Sequence, residues 1–264
     1  MGFPAWRPDP TGGARGLKDG WIERRRACAN MPGMCGRYIA TTPPDELRRL
    51  FATANEVPNW QPTWNMAPTQ NGPVVRLHPE TGARHLDLLR WGLLPHWVRG
   101  DPKSVRQPIN ARAETVASSP MFRDAYARRR CIVPIDAFYE WKAEPEGKQP
   151  YAVARADGHV MALAGVWEGW RAPDGTAVRS YAVVTTNAVD ELGHLHERMP
   201  VVLEAEDWPV WLGEREGDVA GLLRPSGAGF RVWPVSTRVN SVRNDGPELA
   251  EPVQAGSGTV VHPT

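Results

Sequence analysis

Apolar and polar positions along this chain follow a helical period in some stretches and a strand period in others. Between Asp45 and Ala54, Leu47, Leu50 and Phe51 share one face behind the opening Thr41-Thr42-Pro43-Pro44, which predicts a short helix. Val74–Leu77 and His85–Trp91 read as strands joined by the turn His78-Pro79-Glu80-Thr81-Gly82. Ser119-Pro120 opens a second helix through Arg129. Cys131–Trp141, Tyr151–Arg155, Val160–Trp167 and Tyr181–Thr186 are strand-like, with Ala156-Asp157-Gly158 as a hairpin turn. Asp207–Leu212 and Asp218–Leu223 predict short helices, and Arg231–Val235 a last strand. Strands fill the middle and short helices the margins, without β-α-β alternation. The class expected is α+β in a single domain.

Outside this body the pattern fails. Residues 1–33 are rich in Gly, Pro and Arg with no period, and are expected to form a disordered extension that is untranslated or removed. Arg24-Arg25-Arg26 lacks the apolar region that an export signal requires after it. The folded domain is expected over 34–252, with a frayed tail at 253–264. The longest apolar run, Met161 to Trp167, is far short of the ~20 residues of a membrane helix. Three cysteines without a C-x-x-C pair argue against a disulfide framework and a cysteine zinc site, and His194 and His196 stand at no metal-binding spacing. No cofactor, metal or membrane partner is expected, and a reduced, cytoplasmic setting fits.

Charge narrows the partners. Residues 1–33 carry six basic and three acidic side chains, a balance of +3, so a chain of net +1 leaves residues 34–264 at −2. Affinity for nucleic acid must therefore come from a local patch. Twelve Trp outnumber the five Tyr and five Phe, a supply of rings able to stack on bases or line a cleft.

Several polar residues interrupt apolar segments. They are Asn110-Ala111-Arg112-Ala113-Glu114, Glu140 within the run Cys131 to Trp141, and His194-Leu195-His196-Glu197-Arg198-Met199-Pro200. Each alone has an ordinary explanation: a strand-end carboxylate, a hydrogen-bonded core histidine, a surface pair of Arg112 with Glu114. Further segments join them: Met34-Cys35-Gly36-Arg37-Tyr38, Trp64-Asn65-Met66-Ala67-Pro68-Thr69, Arg90-Trp91-Gly92-Leu93-Leu94-Pro95, Phe138-Tyr139-Glu140-Trp141, Thr185-Thr186-Asn187 and Val242-Arg243-Asn244-Asp245. In this order, from Met34 to about Pro252, the chain resembles the SOS-response-associated peptidase (SRAP) family, whose eukaryotic members are known as abasic-site-processing proteins.

The resemblance implies a mostly antiparallel, barrel-like central sheet surrounded by short helices. It implies a sensor and shield of abasic sites in single-stranded DNA that forms a covalent cross-link through an N-terminal cysteine, at the nucleoid when bound. Carried over by position, Cys35 is the nucleophile, Asn110 holds the cysteine end, and Glu140 and His196 form an acid/base pair. Arg112 engages phosphate beside the lesion, and Arg37, Trp141, Thr185 and Arg198 contact DNA. Cys131 is expected to be a buried strand residue. A thiol peptidase acting on its own N-terminus and a non-covalent single-strand-binding module are the alternatives.

The chemistry explains why such a cysteine must be terminal. Near pH 7.5 an α-amino group is about 40% neutral and a lysine about 0.1%, roughly a 300-fold advantage in attacking an aldehyde. A thiol two carbons from that nitrogen can close the imine into a five-membered thiazolidine. An internal cysteine offers only a resonance-stabilised amide nitrogen. Phe138, Tyr139 and Trp141 flank Glu140, an apolar setting expected to favour its protonated form.

Overall fold

The computed structural model describes residues 36–254, apart from 100, 146 and 173. The expected extension at 1–33, Cys35, and the expected tail from residue 255 onward lie outside the described residues. In chain order the elements are β1 (Tyr38–Ala40), α1 (Pro44–Phe51), β2 (Thr63–Met66), β3 (Asn71–Leu77), β4 (Arg84–Trp91), β5 (Asn110–Arg112), α2 (Arg123–Arg128), β6 (Arg130–Ile135) and β7 (Ala137–Glu144). They continue as β8 (Gly147–Arg155), β9 (Met161–Arg171), β10 (Ala177–Asn187), α3 (Asp190–Gly193), β11 (Arg198–Pro200), β12 (Val202–Leu203), α4 (Trp208–Leu212) and β13 (Phe230–Pro234).

Five strands close into a ring. β3 pairs antiparallel with β4 and β6, and β9 with β6 and β10. Closure comes where Ser180 and Tyr181 of β10 lie parallel to Arg90 and Trp91 of β4. A second sheet runs β13-β8-β7-β1-β2 and is antiparallel throughout. The fold is α+β with a barrel-like, mostly antiparallel centre, as expected.

The barrel strands are buried on both faces, so they read as apolar runs. Val74, Val133 and Val183 join a cluster with Tyr38, Phe138 and Val153 of the second sheet. Their neighbours Val75, Ile132 and Val184 pack instead with Leu47 and Phe51 of α1 and Trp211 of α4. Sheet and barrel meet closely at Gly72, where a Cβ would run into the Tyr38 hydroxyl and stand 2.7 Å from that of Tyr181. Those two hydroxyls are 2.5 Å apart across the interface.

The structure corrects several expectations. Leu50 of α1 is 45% exposed, while Leu47 and Phe51 are buried, and the helix stops at Phe51 because Ala52 turns left-handed (φ 51°). The second helix is shorter than Ser119–Arg129. The run Cys131–Trp141 is two strands in two sheets. It breaks at Asp136, whose carboxylate accepts hydrogen bonds from Thr41 N, Thr41 Oγ1, Thr42 N and Thr42 Oγ1. Nor is Ala156-Asp157-Gly158 a hairpin turn, because β8 belongs to the second sheet and β9 to the barrel. The strands β1, β2, β5, β11 and β12 are two to four residues long, too short for a strand period to show in the sequence. No helix among the described residues is long and apolar enough to cross a membrane.

Candidate functional site

One end of β10 collects most of the singled-out residues. After Trp91 the chain leaves the barrel and returns as β5, which takes the edge of β10 that β4 has vacated. Asn110 lies opposite Val183, Ala111 opposite Val184 and Arg112 opposite Thr185. Cross-strand partners share a face, so Asn110 and Arg112 sit on the side of the barrel that packs on the second sheet. Asn110 is half-buried and Arg112 exposed. Thr185 is fully buried, its hydroxyl donating to Ala111 O at 3.4 Å, so in this arrangement it ties β5 to β10.

β11 arrives on the other edge of β10 with Arg198 opposite Asn187. The Arg198 side chain is 11% exposed, and its guanidinium is heavily engaged. Nη1 donates to Glu114 Oε1 at 2.5 Å and Asn187 Oδ1 at 3.0 Å, and Nη2 to Glu114 Oε2 at 2.9 Å and Thr185 O at 2.7 Å. This fork joins the chain after β5 to β10 and β11. It holds the Glu114 carboxyl below the ordinary carboxylate range, and the charge of Arg112 adds to the effect. The ion pair of Glu114 is thus with Arg198, where a pair with Arg112 was the sequence alternative. The Arg198 backbone N–H donates to His196 Nδ1 at 3.0 Å. A backbone N–H only donates, so Nδ1 accepts and the neutral ring carries its proton on Nε2.

Glu140 comes from the second sheet. It is 5% exposed and lies on the same face of β7 as Phe138, the face that packs on the barrel. Trp141, the next residue, falls on the opposite face with Tyr139, Trp64 and Trp233. Its Nε1 donates to Asn240 Oδ1 at 2.7 Å. Arg37 reaches the same loop, Nη1 donating to Val239 O at 3.0 Å. The described candidates therefore divide in two. Asn110, Arg112, Glu140 and Arg198 lie on the facing sides of barrel and second sheet, with His196 in the turn before β11, while Arg37 and Trp141 lie against the loop behind β7.

Sequence reasoning missed the residues that hold this frame. Trp91 Nε1 donates to Ile109 O at 3.0 Å, fixing the residue before Asn110. Arg90 Nη1 donates to Gln107 Oε1 at 2.6 Å and closes the excursion between β4 and β5. Asn65, 2% exposed, donates from Nδ2 to the carbonyls of Val239, Ser241 and Asn244. All three lie in motifs quoted above, but nothing local in the sequence says what they touch. Cys131 is fully buried in β6, and burial pushes its thiol pKa far up, which keeps it inert. Among the described residues no group of three His, Cys, Asp or Glu side chains gathers to hold a metal.

Comparison with known proteins agrees over nearly the whole described body. The family model described as SOS response associated peptidase (SRAP) matches residues 34–242. "Abasic site processing protein YoqW" of Bacillus subtilis (strain 168) is 35% identical over 225 residues, covering 83% of this chain and 99% of that protein. "Abasic site processing protein HMCES" of Gallus gallus is 31% identical over 266 residues, covering 84% of this chain and 79% of that protein. A solved structure from Bacteroides thetaiotaomicron superimposes with a TM-score of 0.74 at 20% identity, over 83% of this chain and 100% of the other. One from Bordetella bronchiseptica gives 0.65 at 30% identity, over 76% and 100%.

Proposed function

Since the chain belongs to the SOS response associated peptidase family, we propose that it processes abasic sites in single-stranded DNA by forming a covalent thiazolidine cross-link through Cys35. The observation that carries this reading is the likeness to proteins named for abasic site processing, which extends over nearly their full bacterial length. The proposal needs Cys35 to be the first residue of the working protein. Translation from Met34 followed by ordinary methionine removal exposes it, and self-cleavage of the Met34–Cys35 bond is the other route.

The ring-opened abasic sugar presents an aldehyde at C1′. The neutral α-amine adds to it, and the carbinolamine loses water to give an imine. The thiol sulfur then bonds to C1′ while its proton passes to nitrogen. Aldehyde and aminothiol thus become thiazolidine and water, with no change of oxidation state. Two steps need a proton on oxygen: opening the sugar and expelling water. A carboxyl as buried as Glu140 is suited to hold and deliver that proton. His196, with its Nδ1 taken by the Arg198 backbone N–H, is left with Nε2 to exchange a proton with the reacting group. Asn110 both donates and accepts, and so positions an amine without charging it. Reductive trapping tests the reading. With abasic single-stranded DNA the protein is expected to give a heat-stable adduct without reductant, and borohydride is expected to capture the imine at early times. Binding without any covalent band would leave only a passive single-strand module.

Two arginines are expected to differ in kind. Arg112 is exposed and takes the phosphate role, so Arg112→Ala is expected to weaken binding across sequences. It should lower the slope of log affinity against log salt by about 0.7, one single-strand phosphate contact. Arg198 is occupied by Glu114, Asn187 and Thr185. Arg198→Ala is therefore expected to slow adduct formation with little change in salt slope. Equal slopes for Arg112→Ala and the parent protein would give Arg112 a structural role instead.

A further inference from the structure

The segment Thr237–Asp245 is fixed from beneath and open above. Asn65 donates to three of its carbonyls, at 3.3, 3.0 and 2.9 Å. Arg37 donates to Val239 O, Trp141 to Asn240 Oδ1, and Asn244 Nδ2 to Arg238 O at 2.7 Å, while the Trp64 backbone N–H donates to Asp245 Oδ1 at 2.7 Å. Val239 is fully buried beneath the turn. Yet Arg238, Asn240, Ser241, Val242 and Arg243 are all exposed, and Val242 is among the few exposed large apolar side chains of the described residues. A loop with no role needs no such fastening, because surface connections tolerate mobility.

The charges on this loop are unequally committed. Asp245 receives the Trp64 N–H, and Arg238, 60% exposed, stands 3.3 Å from Glu248. The exposed guanidinium of Arg243 has no partner among the described residues. The protein body is at −2, so affinity for a polyanion must come from local cations, and this loop, fastened by Asn65, Arg37 and Trp141, carries one. Its neighbours on that loop bond directly to Arg37 and Trp141, and Arg37 is two residues along the chain from Cys35.

We propose that the loop Arg238–Asn244 is a second strand-gripping element, in which Arg243 binds a backbone phosphate of the single strand flanking the reaction site and Val242 lies under the adjoining nucleotide. Arg37 Nη1 and Trp141 Nε1 donate to this loop, and Arg243 adds an exposed guanidinium beside them. The proposal rests on the reading that single-stranded DNA is the partner, but not on the covalent step.

The test uses an undamaged oligothymidine strand, which cannot be cross-linked, and the chain beginning at Cys35. Arg243→Ala is expected to weaken binding about three- to tenfold and to lower the salt slope by about 0.7. Arg243→Glu should weaken it further, and Arg224→Ala, on an exposed turn elsewhere, should change neither. Unchanged affinity and slope in both Arg243 variants would overturn the proposal, as would a parent protein that does not bind the strand. A parent that binds the undamaged strand normally but forms no adduct with an abasic strand would instead overturn the cross-linking reading and leave this element standing.

Discussion

A chain beginning at Cys35 is expected to cross-link abasic single-stranded DNA, and the 264-residue chain with Met1 retained is expected not to. A peptide bond to Met34 turns the Cys35 nitrogen into an amide, whose lone pair is delocalised and does not attack aldehydes. The α-amine of Met1 carries no thiol on its β-carbon, so any imine it forms cannot close to a thiazolidine and reverts in water. Lysines are about 300-fold less often neutral near pH 7.5. The difference in heat-stable adduct should therefore reach two orders of magnitude or more. The measurement is a denaturing gel of both forms, with intact mass confirming each terminus before and after the reaction. Loss of residues 1–34 from the long form during incubation would identify self-cleavage as the route to the active chain. Cross-linking by the long form at the rate of the short one, with its mass unchanged, would end the N-terminal amine mechanism.

The second large effect separates the two atoms of the nucleophile. In the chain starting at residue 35, Cys35→Ser keeps the α-amine and loses the sulfur. It is expected to give a borohydride-trapped imine at close to the parent level but little heat-stable adduct, because a hydroxyl closes a weaker ring. Cys35→Ala should behave the same way, with DNA affinity within a few-fold of the parent. As much stable adduct from Cys35→Ser as from the parent would refute thiazolidine closure. Glu140→Gln offers a companion readout, since it preserves shape while removing the proton donor. It is expected to slow imine formation in all these backgrounds and leave strand affinity unchanged.

Much of this protein was legible before any coordinates. The hairpin of β3 and β4 shows in its strand period and in the turn ending at Gly82, which adopts φ 68°. The apolar runs around Cys131 and Tyr181 announce strands buried on both faces, and the ordered motifs from Met34 onward announce the family. The demand for a terminal Cys35 follows from the chemistry of amines and aldehydes alone. Local period carries this information because it reports what each residue faces within its own element.

What a residue meets across the fold is another matter. The run from Cys131 to Trp141 looks like one strand because both halves are apolar. Only the carboxylate of Asp136, bound by Thr41 and Thr42 from ~95 positions earlier, bends it from barrel to second sheet. That bend sets Glu140 against the barrel and Trp141 against the loop behind β7. The family resemblance gives Arg198 to the DNA, yet Glu114 of the chain after β5 and the carbonyl of Thr185 occupy its guanidinium. Barrel closure itself rests on a parallel contact between β4 and β10, where Arg90 lies opposite Ser180 and Trp91 opposite Tyr181. Local pattern was enough for the longer strands, for α1 and for the family resemblance. The tertiary structure decided which polar groups are taken up by one another and which, like Arg112 and Arg243, remain turned to solvent, because pairings across long sequence separations leave no trace in local periodicity.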